Sequence, residues 1–274
     1  MLAQPARARP LTLTADGRGA ARTRIMRAMT APISAPPMRL AGTDPGPVSR
    51  EIELAALLLP LGAARILELG CGRAEFMRAL AARFPASRIT AMEVDAVQHE
   101  KNLAADRPGN VVFAAGGADA IPLPDASVDV VLMLKSLHHV PVARMDTALA
   151  EIARVLAPGG FAYFSEPIYA GEFNALVALF HDERVVREAA FAALVRAVGS
   201  GRFELAAERF WRAKRCFAGF AEFDERLIRA THTEHRLSDE TYAKVRERFL
   251  PHLSADGTAT FDQPMRVDVL RRRA

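Results

Sequence analysis

Residues 64–80 read ARILELGCGRAEFMRAL. A short apolar run ends around an acid, Glu68, and two glycines, Gly70 and Gly72, then flank Cys71. From Glu75 onward a helical pattern begins. Strand, glycine turn and helix in this order open a βα unit of the nucleotide-binding kind, because glycine lets the backbone turn sharply and approach a ligand closely. A turn for NAD needs a third glycine three residues after the second, so that a pyrophosphate can rest on the helix N-terminus. That position holds Glu75, a carboxylate at the mouth of a phosphate site. No Gly-Lys-Ser/Thr follows, so a P-loop fails as well. The turn reads as one built for a ligand without phosphates.

Strands and helices alternate outward from this turn. RITAMEV, VVFAA, Val128 to Leu134 and FAYFSEP read as strands, and AEFMRALAARF, AVQHEKNLAAD and ARMDTALAEIARVLAPGG as helices. That rhythm predicts βαβ units and a parallel sheet. Unbroken apolar runs such as VVLML suit strands covered on both faces. SREIELAALLLPLG has helical spacing, with Ser49 as its expected N-cap. After Pro167 the rhythm changes. Residues 172–229 read as helices with no strand signal, SDETYAKVRERFL as a further helix capped by Ser238, and PMRVDVLRR as a closing strand. The expected organisation is a basic tail and linker over residues 1–47 and one α/β domain over 48–274.

Half of the 274 residues are hydrophobic and a quarter charged, as in ordinary globular proteins. No apolar run reaches the ~18–20 residues that span a bilayer, so no membrane partner is expected. The net charge of +4 is unevenly spread: residues 1–43 hold seven arginines and one acid, which leaves the remainder at −2. A stripe built to neutralise nucleic-acid phosphates is not evident in that remainder. The Arg- and Ala-rich start reads as a disordered tail or as sequence upstream of a later start at Met26, Met29 or Met38, although a transit peptide has similar composition. Two cysteines, Cys71 and Cys216, are too few for a disulfide framework and fit a reducing cytoplasm.

Five blocks taken in order resemble the class I S-adenosylmethionine-dependent methyltransferases, over about residues 50–168: LELGCG, ITAMEVD, GADAIPLPDASVDVV, SLHHV and EIARVLAPGGFAYFSEP. The resemblance implies a Rossmann-like three-layer α/β/α fold, a mostly parallel sheet with an antiparallel C-terminal strand and a helical insertion. It implies S-adenosyl-L-methionine as methyl donor, held by the backbone of Gly70, Cys71 and Gly72. Glu68 is placed to face the donor's ammonium. Glu93, with Val94 beside it, stands where the family sets the acid that accepts from two ribose hydroxyls. It lies 23 residues after Gly70, near the ~20 such an acid requires. By the same resemblance Ala118, Asp119 and Ala120 meet the adenine. Lys135 lies beside the methionine portion or is a solvated strand-end lysine. Ala74 departs from the pattern, since the family often has glycine there.

Methyl transfer from a sulfonium is an in-line displacement that needs an aligned acceptor and sometimes a base. The stretch beyond the fourth and fifth strands offers His138 and His139 as bases and Glu166 as an acceptor-binding group; packing or capping is the other reading of the histidine pair. His232 and His235 in HTEH lack a third ligand nearby, so no metal is expected. The helical region at about 170–235, rich in Phe and containing Trp211, is expected to form a lid over a small acceptor, apolar or aromatic. Aromatics at helical spacing more often build core. The Pro-Pro-aromatic tetrapeptide of DNA amino-methyltransferases is replaced by KSLHH, and neither cysteine follows a proline as in cytosine-C5 enzymes. A small-molecule acceptor is therefore the main expectation, with a protein or nucleic-acid methyltransferase, or a non-catalytic binding module on the same fold, as alternatives.

Overall fold

Seven strands form one sheet: β1 (Arg65–Leu69), β2 (Arg88–Glu93), β3 (Val111–Ala115), β4 (Val128–Leu134), β5 (Leu156–Pro167), β6 (Phe203–Phe217) and β7 (Ala259–Arg272). The computed structural model describes residues 38–42, 44, 46–229 and 237–273. The expectations for the basic tail and for His232 and His235 lie outside these residues. The strand order is β3-β2-β1-β4-β5-β7-β6. β1 pairs in parallel with both β2 and β4, and β4 with β5. β7 inserts antiparallel between β5 and β6 and alone runs against the others. The chain reverses direction across the sheet between β1 and β4, where open α/β sheets form their ligand crevice.

The helices are α1 (Glu51–Leu58), α2 (Glu75–Arg83), α3 (Ala96–Ala104), α4 (Met145–Val155), α5 (Gly171–Val177), α6 (Arg184–Gly199), the single turn α7 (Phe220–Phe223) and α8 (Asp239–Phe249). Strand residues alternate between two cores. Leu67, Val131, Met133 and Phe164 pack with Leu149 and Ile152 of α4 and Leu194 of α6. Ile66, Val130, Leu132 and Tyr163 pack on the other face with Met77 and Leu80 of α2 and Ala55 of α1. This double burial explains the unbroken apolar runs. Ser238 accepts from the N–H of Thr241 as predicted. Ser49 does not cap α1: Arg50 is the cap residue, and the N–H of Ser49 donates to Arg212 O at 3.2 Å. No helix among the described residues is long and apolar enough to cross a membrane.

Two expectations are corrected. Residues 172–229 are not all helical, because β6 runs through them and pairs along β7 from Phe203↔Arg272 to Phe217↔Ala259. Its alternation is hidden in the sequence by a bulge between Leu205 and Ala207 and by Arg209 and Arg215 within the series that contains Trp211 and Phe217. Part of the segment read as linker covers the outer edge of β6. Val48 bridges Arg212, the N–H of Arg212 donates to Pro47 O at 2.9 Å, and Arg39 pairs with Glu208 at 2.8 Å. A covered edge exposes no row of unpaired backbone groups to other chains. At Gly46, φ is +74° and a Cβ would stand 1.9 Å from Phe210 O, so only glycine permits this approach.

The phenylalanines of the insertion mostly make a third core. Phe173, Phe217, Phe223, Phe249 and Phe261 are buried together. Phe249 lies 5.1 Å from Phe223 and 5.7 Å from Phe261, centroid to centroid. Trp211 belongs to the core behind α2 instead. Phe249→Ala is expected to cost about 3–5 kcal/mol of stability, the usual range for emptying a buried phenylalanine site. Urea denaturation monitored by circular dichroism measures it, and a loss below about 1 kcal/mol would contradict the packed-core assignment.

Candidate active site

The glycine turn leaves β1 with Gly70 and Gly72 at φ +73° and +52°. A Cβ on Gly70 would stand 2.9 Å from the Cβ of Ser136, which follows β4. Ser136 Oγ in turn donates to Leu69 O at 2.8 Å and ties the ends of β1 and β4 together. Ala74 also takes a left-handed conformation, φ 56°. This is the position where the sequence lacks the third glycine. An L-residue there costs roughly 1–2 kcal/mol, and burial of its methyl offsets part of that cost.

The carboxylate of Glu93, at the tip of β2, closes the turn. Its Oε2 accepts from Gly72 N at 2.7 Å, and its Oε1 from Val94 N at 2.8 Å and Asp95 N at 2.9 Å. A carboxylate has about four acceptor sites, so capacity remains for a ligand hydroxyl. Asn102 of α3, unmarked in the sequence reading, donates to Gly72 O at 2.7 Å and braces the turn from outside. Cys71 is a turn residue: burial first, then the nearby Glu68 and Glu93, push its thiol up to about 12, which makes it a poor nucleophile. Val94 is exposed and Ala118 buried. Val94 Cγ2 and Asp119 Oδ1 both border Gly117, so the tip of β2 and the loop after β3 converge. Asp119 lies 3.4 Å from Arg144 Nη1, and Ala120 is exposed beside it.

Glu68 sits deeper, 2% exposed, and its Oε2 has no hydrogen-bond partner. Burial pushes this carboxyl up to about 8; Lys135 opposes the shift, and Glu93 and Glu51 add to it. Glu51, on α1, is a second, half-buried acid missed in the sequence. It accepts from Tyr163 Oη at 2.6 Å and Ser165 Oγ at 3.0 Å, and burial raises its pKa too. Lys135 follows β4 with φ 56° and donates its backbone N–H to Ser165 O at 2.7 Å. A cavity of about 460 Å³ opens here, lined by Arg50, Glu51, Lys135, Trp211, Arg215 and Met265 among others.

The histidine pair lies further along the loop after β4. His138 is buried, with Nδ1 against Glu166 Oε2 and Nε2 3.6 Å from Glu183 Oε1. The other oxygen of Glu166 accepts from Leu137 N at 2.9 Å. Glu166 thus contacts His138 with one oxygen and the backbone N–H of Leu137 with the other. His139 is exposed and lies against His138, the rings tilted at 43° with centroids 4.2 Å apart. Partial burial, then the neighbouring His138, hold its pKa down, which favours the neutral imidazole. Glu183, at the N-terminus of α6, is drawn in only by the tertiary fold. Burial pushes its carboxyl up, but His138 and Arg187 outweigh that and hold it low.

A doubly wound sheet, a glycine turn clamped by an acid at the next strand's tip, and a buried acid with one unpartnered oxygen define an open α/β protein with a crevice at the carboxyl ends of its central strands. Residues 66–160 match a family model described as a methyltransferase domain. The chain is 29% identical to a malonyl-[acyl-carrier protein] O-methyltransferase of Methylococcus capsulatus, over 73% of this chain and 76% of that one. It is 33% identical to a fatty-acid O-methyltransferase of Mycolicibacterium smegmatis over 37% and 36% of the two chains. It is 39% identical to a ubiquinone/menaquinone biosynthesis C-methyltransferase of Methylobacterium nodulans over 35% and 39%. The last two matches span little more than a third of those relatives. The fold is also that of an S-adenosylmethionine-dependent methyltransferase from Methanosarcina mazei (TM-score 0.52, 17% identity, 82% of this chain and 99% of that one) and of the [4+2]-cyclase SpnF (TM-score 0.51, 18% identity, 92% and 93%). Residues 66–160 thus carry a methyltransferase domain, on the Rossmann-like fold that these solved structures share.

The raised Glu68 carboxyl has a consequence for stability. Below about pH 4.5 it is neutral folded and unfolded. Between 4.5 and about 8 the folded chain keeps a proton that the unfolded chain releases, so this group's contribution falls as pH rises. Glu68→Gln is expected to raise the melting temperature of the ligand-free protein, more at pH 8.5 than at pH 5. An equal shift at both pH values would show that Glu68 is not protonated in the folded chain.

Proposed function

We propose that this protein binds S-adenosyl-L-methionine in the crevice at the carboxyl ends of β1, β2 and β4 and methylates a small acidic acceptor in the adjoining cavity. The observation that carries the reading is the buried, unpartnered Glu68 oxygen beside the glycine turn. Burial holds this carboxyl toward its protonated form, and a ligand carrying an ammonium and a sulfonium favours the ionised one. When bound, the donor supplies an electrophilic methyl group for in-line displacement. Glu68 receives the ammonium, the backbone of Gly70, Cys71 and Gly72 lies along the methionine portion, Glu93 accepts from the ribose beside Val94, and Ala118, Asp119 and Ala120 border the adenine.

The acceptor cavity is the more distinctive part. Trp211 and Met265 give it apolar wall, and Arg50, Lys135 and Arg215 give it positive charge. Arg215 bonds Gln263 Oε1 at 2.6 Å and has no carboxylate within ion-pair distance among the described residues. Burial, then the neighbouring Arg226, lower its pKa, the mark of a guanidinium short of negative charge. A carboxylate on an apolar chain answers both kinds of lining, and two of the relatives are O-methyltransferases of acyl substrates by name. A carboxylate is already nucleophilic, so alignment suffices and no general base is required. Two free cysteines, one exposed, fit a reducing compartment such as the cytoplasm.

Calorimetry with S-adenosylhomocysteine should give one site per chain with micromolar affinity, weakened about tenfold or more by Asp119→Asn, the loss of one charge-assisted hydrogen bond. No binding below millimolar would overturn the donor assignment. With a medium-chain fatty acid as acceptor, Arg215→Met should raise KM about tenfold or more and leave adenosylhomocysteine affinity unchanged. Equal methylation of the corresponding alcohol would refute the acidic acceptor.

A further inference from the structure

The cluster of His138, His139 and Glu183 presents a problem that methyl transfer does not answer. Its three donor atoms lie within 4.8 Å of one another. His138 Nδ1 faces Glu166 Oε2, so in the neutral ring the proton belongs on Nδ1 and the lone pair on Nε2. That lone pair points toward Glu183 Oε1 at 3.6 Å, too long for a hydrogen bond. A lone pair and a carboxylate oxygen facing each other at this separation call for a positive charge between them. The separation is close to the edge of a tetrahedral zinc site, about 3.3–3.5 Å for bonds of roughly 2.0–2.1 Å.

We infer that His138 Nε2, His139 and Glu183 form a binding site for a first-row divalent transition-metal ion such as zinc. The surroundings are those of a metal site. A ligating histidine usually donates its other ring nitrogen to a carboxylate that fixes its orientation, and Glu166 does this for His138. Arg187 Nε engages the second oxygen of Glu183 at 3.1 Å and leaves Oε1 turned to the histidines. His181 Nε2 lies 2.9 Å from that same oxygen, at the edge of the site. Two imidazoles and one carboxylate select a borderline ion over magnesium or calcium, which take oxygen ligands. Three protein donors leave a fourth position open, as in catalytic zinc sites, and His139 reaches solvent on that flank. An ion here also pins the start of α6 to the loop after β4, joining the insertion to the sheet. The inference stands apart from the methyl-transfer reading and does not require it.

The test uses the full chain without an affinity tag, stripped with a chelator and titrated with Zn(II) and Co(II). Mass spectrometry of bound metal should give one ion per chain, and Co(II) should show the visible absorption of a four-coordinate site. His139→Ala, at the solvent-facing ligand, and Glu183→Gln should each weaken binding about tenfold or more with unchanged circular dichroism. His232→Ala/His235→Ala should bind as the unaltered chain does, and excess Mg(II) should not compete. No binding at sub-millimolar metal would overturn the site. Binding that survives both His139→Ala and Glu183→Gln, or is lost in the double histidine variant, would overturn it equally.

Discussion

Three backbone N–H groups converge on the carboxylate of Glu93, and the shape of the ligand crevice depends on that convergence. A turn with Gly70, Gly72 and Ala74 all at positive φ is not stable by local preference. Glu93 reaches from the neighbouring strand to hold Gly72, and at the same time shapes the exit from β2 through Val94 and Asp95. Charge-assisted hydrogen bonds of this kind are about twice as strong as neutral ones. Asn102 braces the turn from outside, and Ser136 binds the end of β1 to the loop after β4. The strand tips are thereby fixed relative to one another before any ligand arrives, and positioning of this kind is what an in-line displacement demands.

Two buried polar networks flank the carboxyl end of β4. On one side Glu68 and Glu51 share the field of Lys135, with burial keeping both acids toward neutrality. On the other, Glu166 and Glu183 hold His138 between them. Unpaired charge inside a protein is costly, and in the first network the unpartnered Glu68 Oε2 marks where a cation would be favoured. Neighbouring residues of one strand serve the two: Ser165 bonds Glu51 while Glu166 contacts His138. Successive side chains on a strand point to opposite faces, so β5 divides the region beyond the sheet in two.

The shared fold with a [4+2]-cyclase is instructive. Sheet order and glycine turn locate a crevice, but they do not choose the reaction, which depends on the side chains grafted around it. Around the crevice here stand side chains from outside the family-model match: Glu51 of α1, Glu183 at the start of α6, and Trp211 and Arg215 of β6.

The sequence by itself determined the βαβ frame, the place of the glycine turn and the acid at the tip of β2. Each of these rests on local signals: apolar runs for doubly buried strands, glycines for positive φ, and a spacing set by one helix and one strand. It did not disclose β6, because an edge strand takes its stability from the ladder with β7, and a bulge and two arginines blur its alternation. It left His138 and Glu166 as separate candidates, although they form one unit across 28 residues of chain. Only the tertiary structure brought Glu51, Glu183 and Arg215 to their sites. Contacts between residues so far apart in the chain depend on how sheet and insertion pack, and no local pattern records that packing.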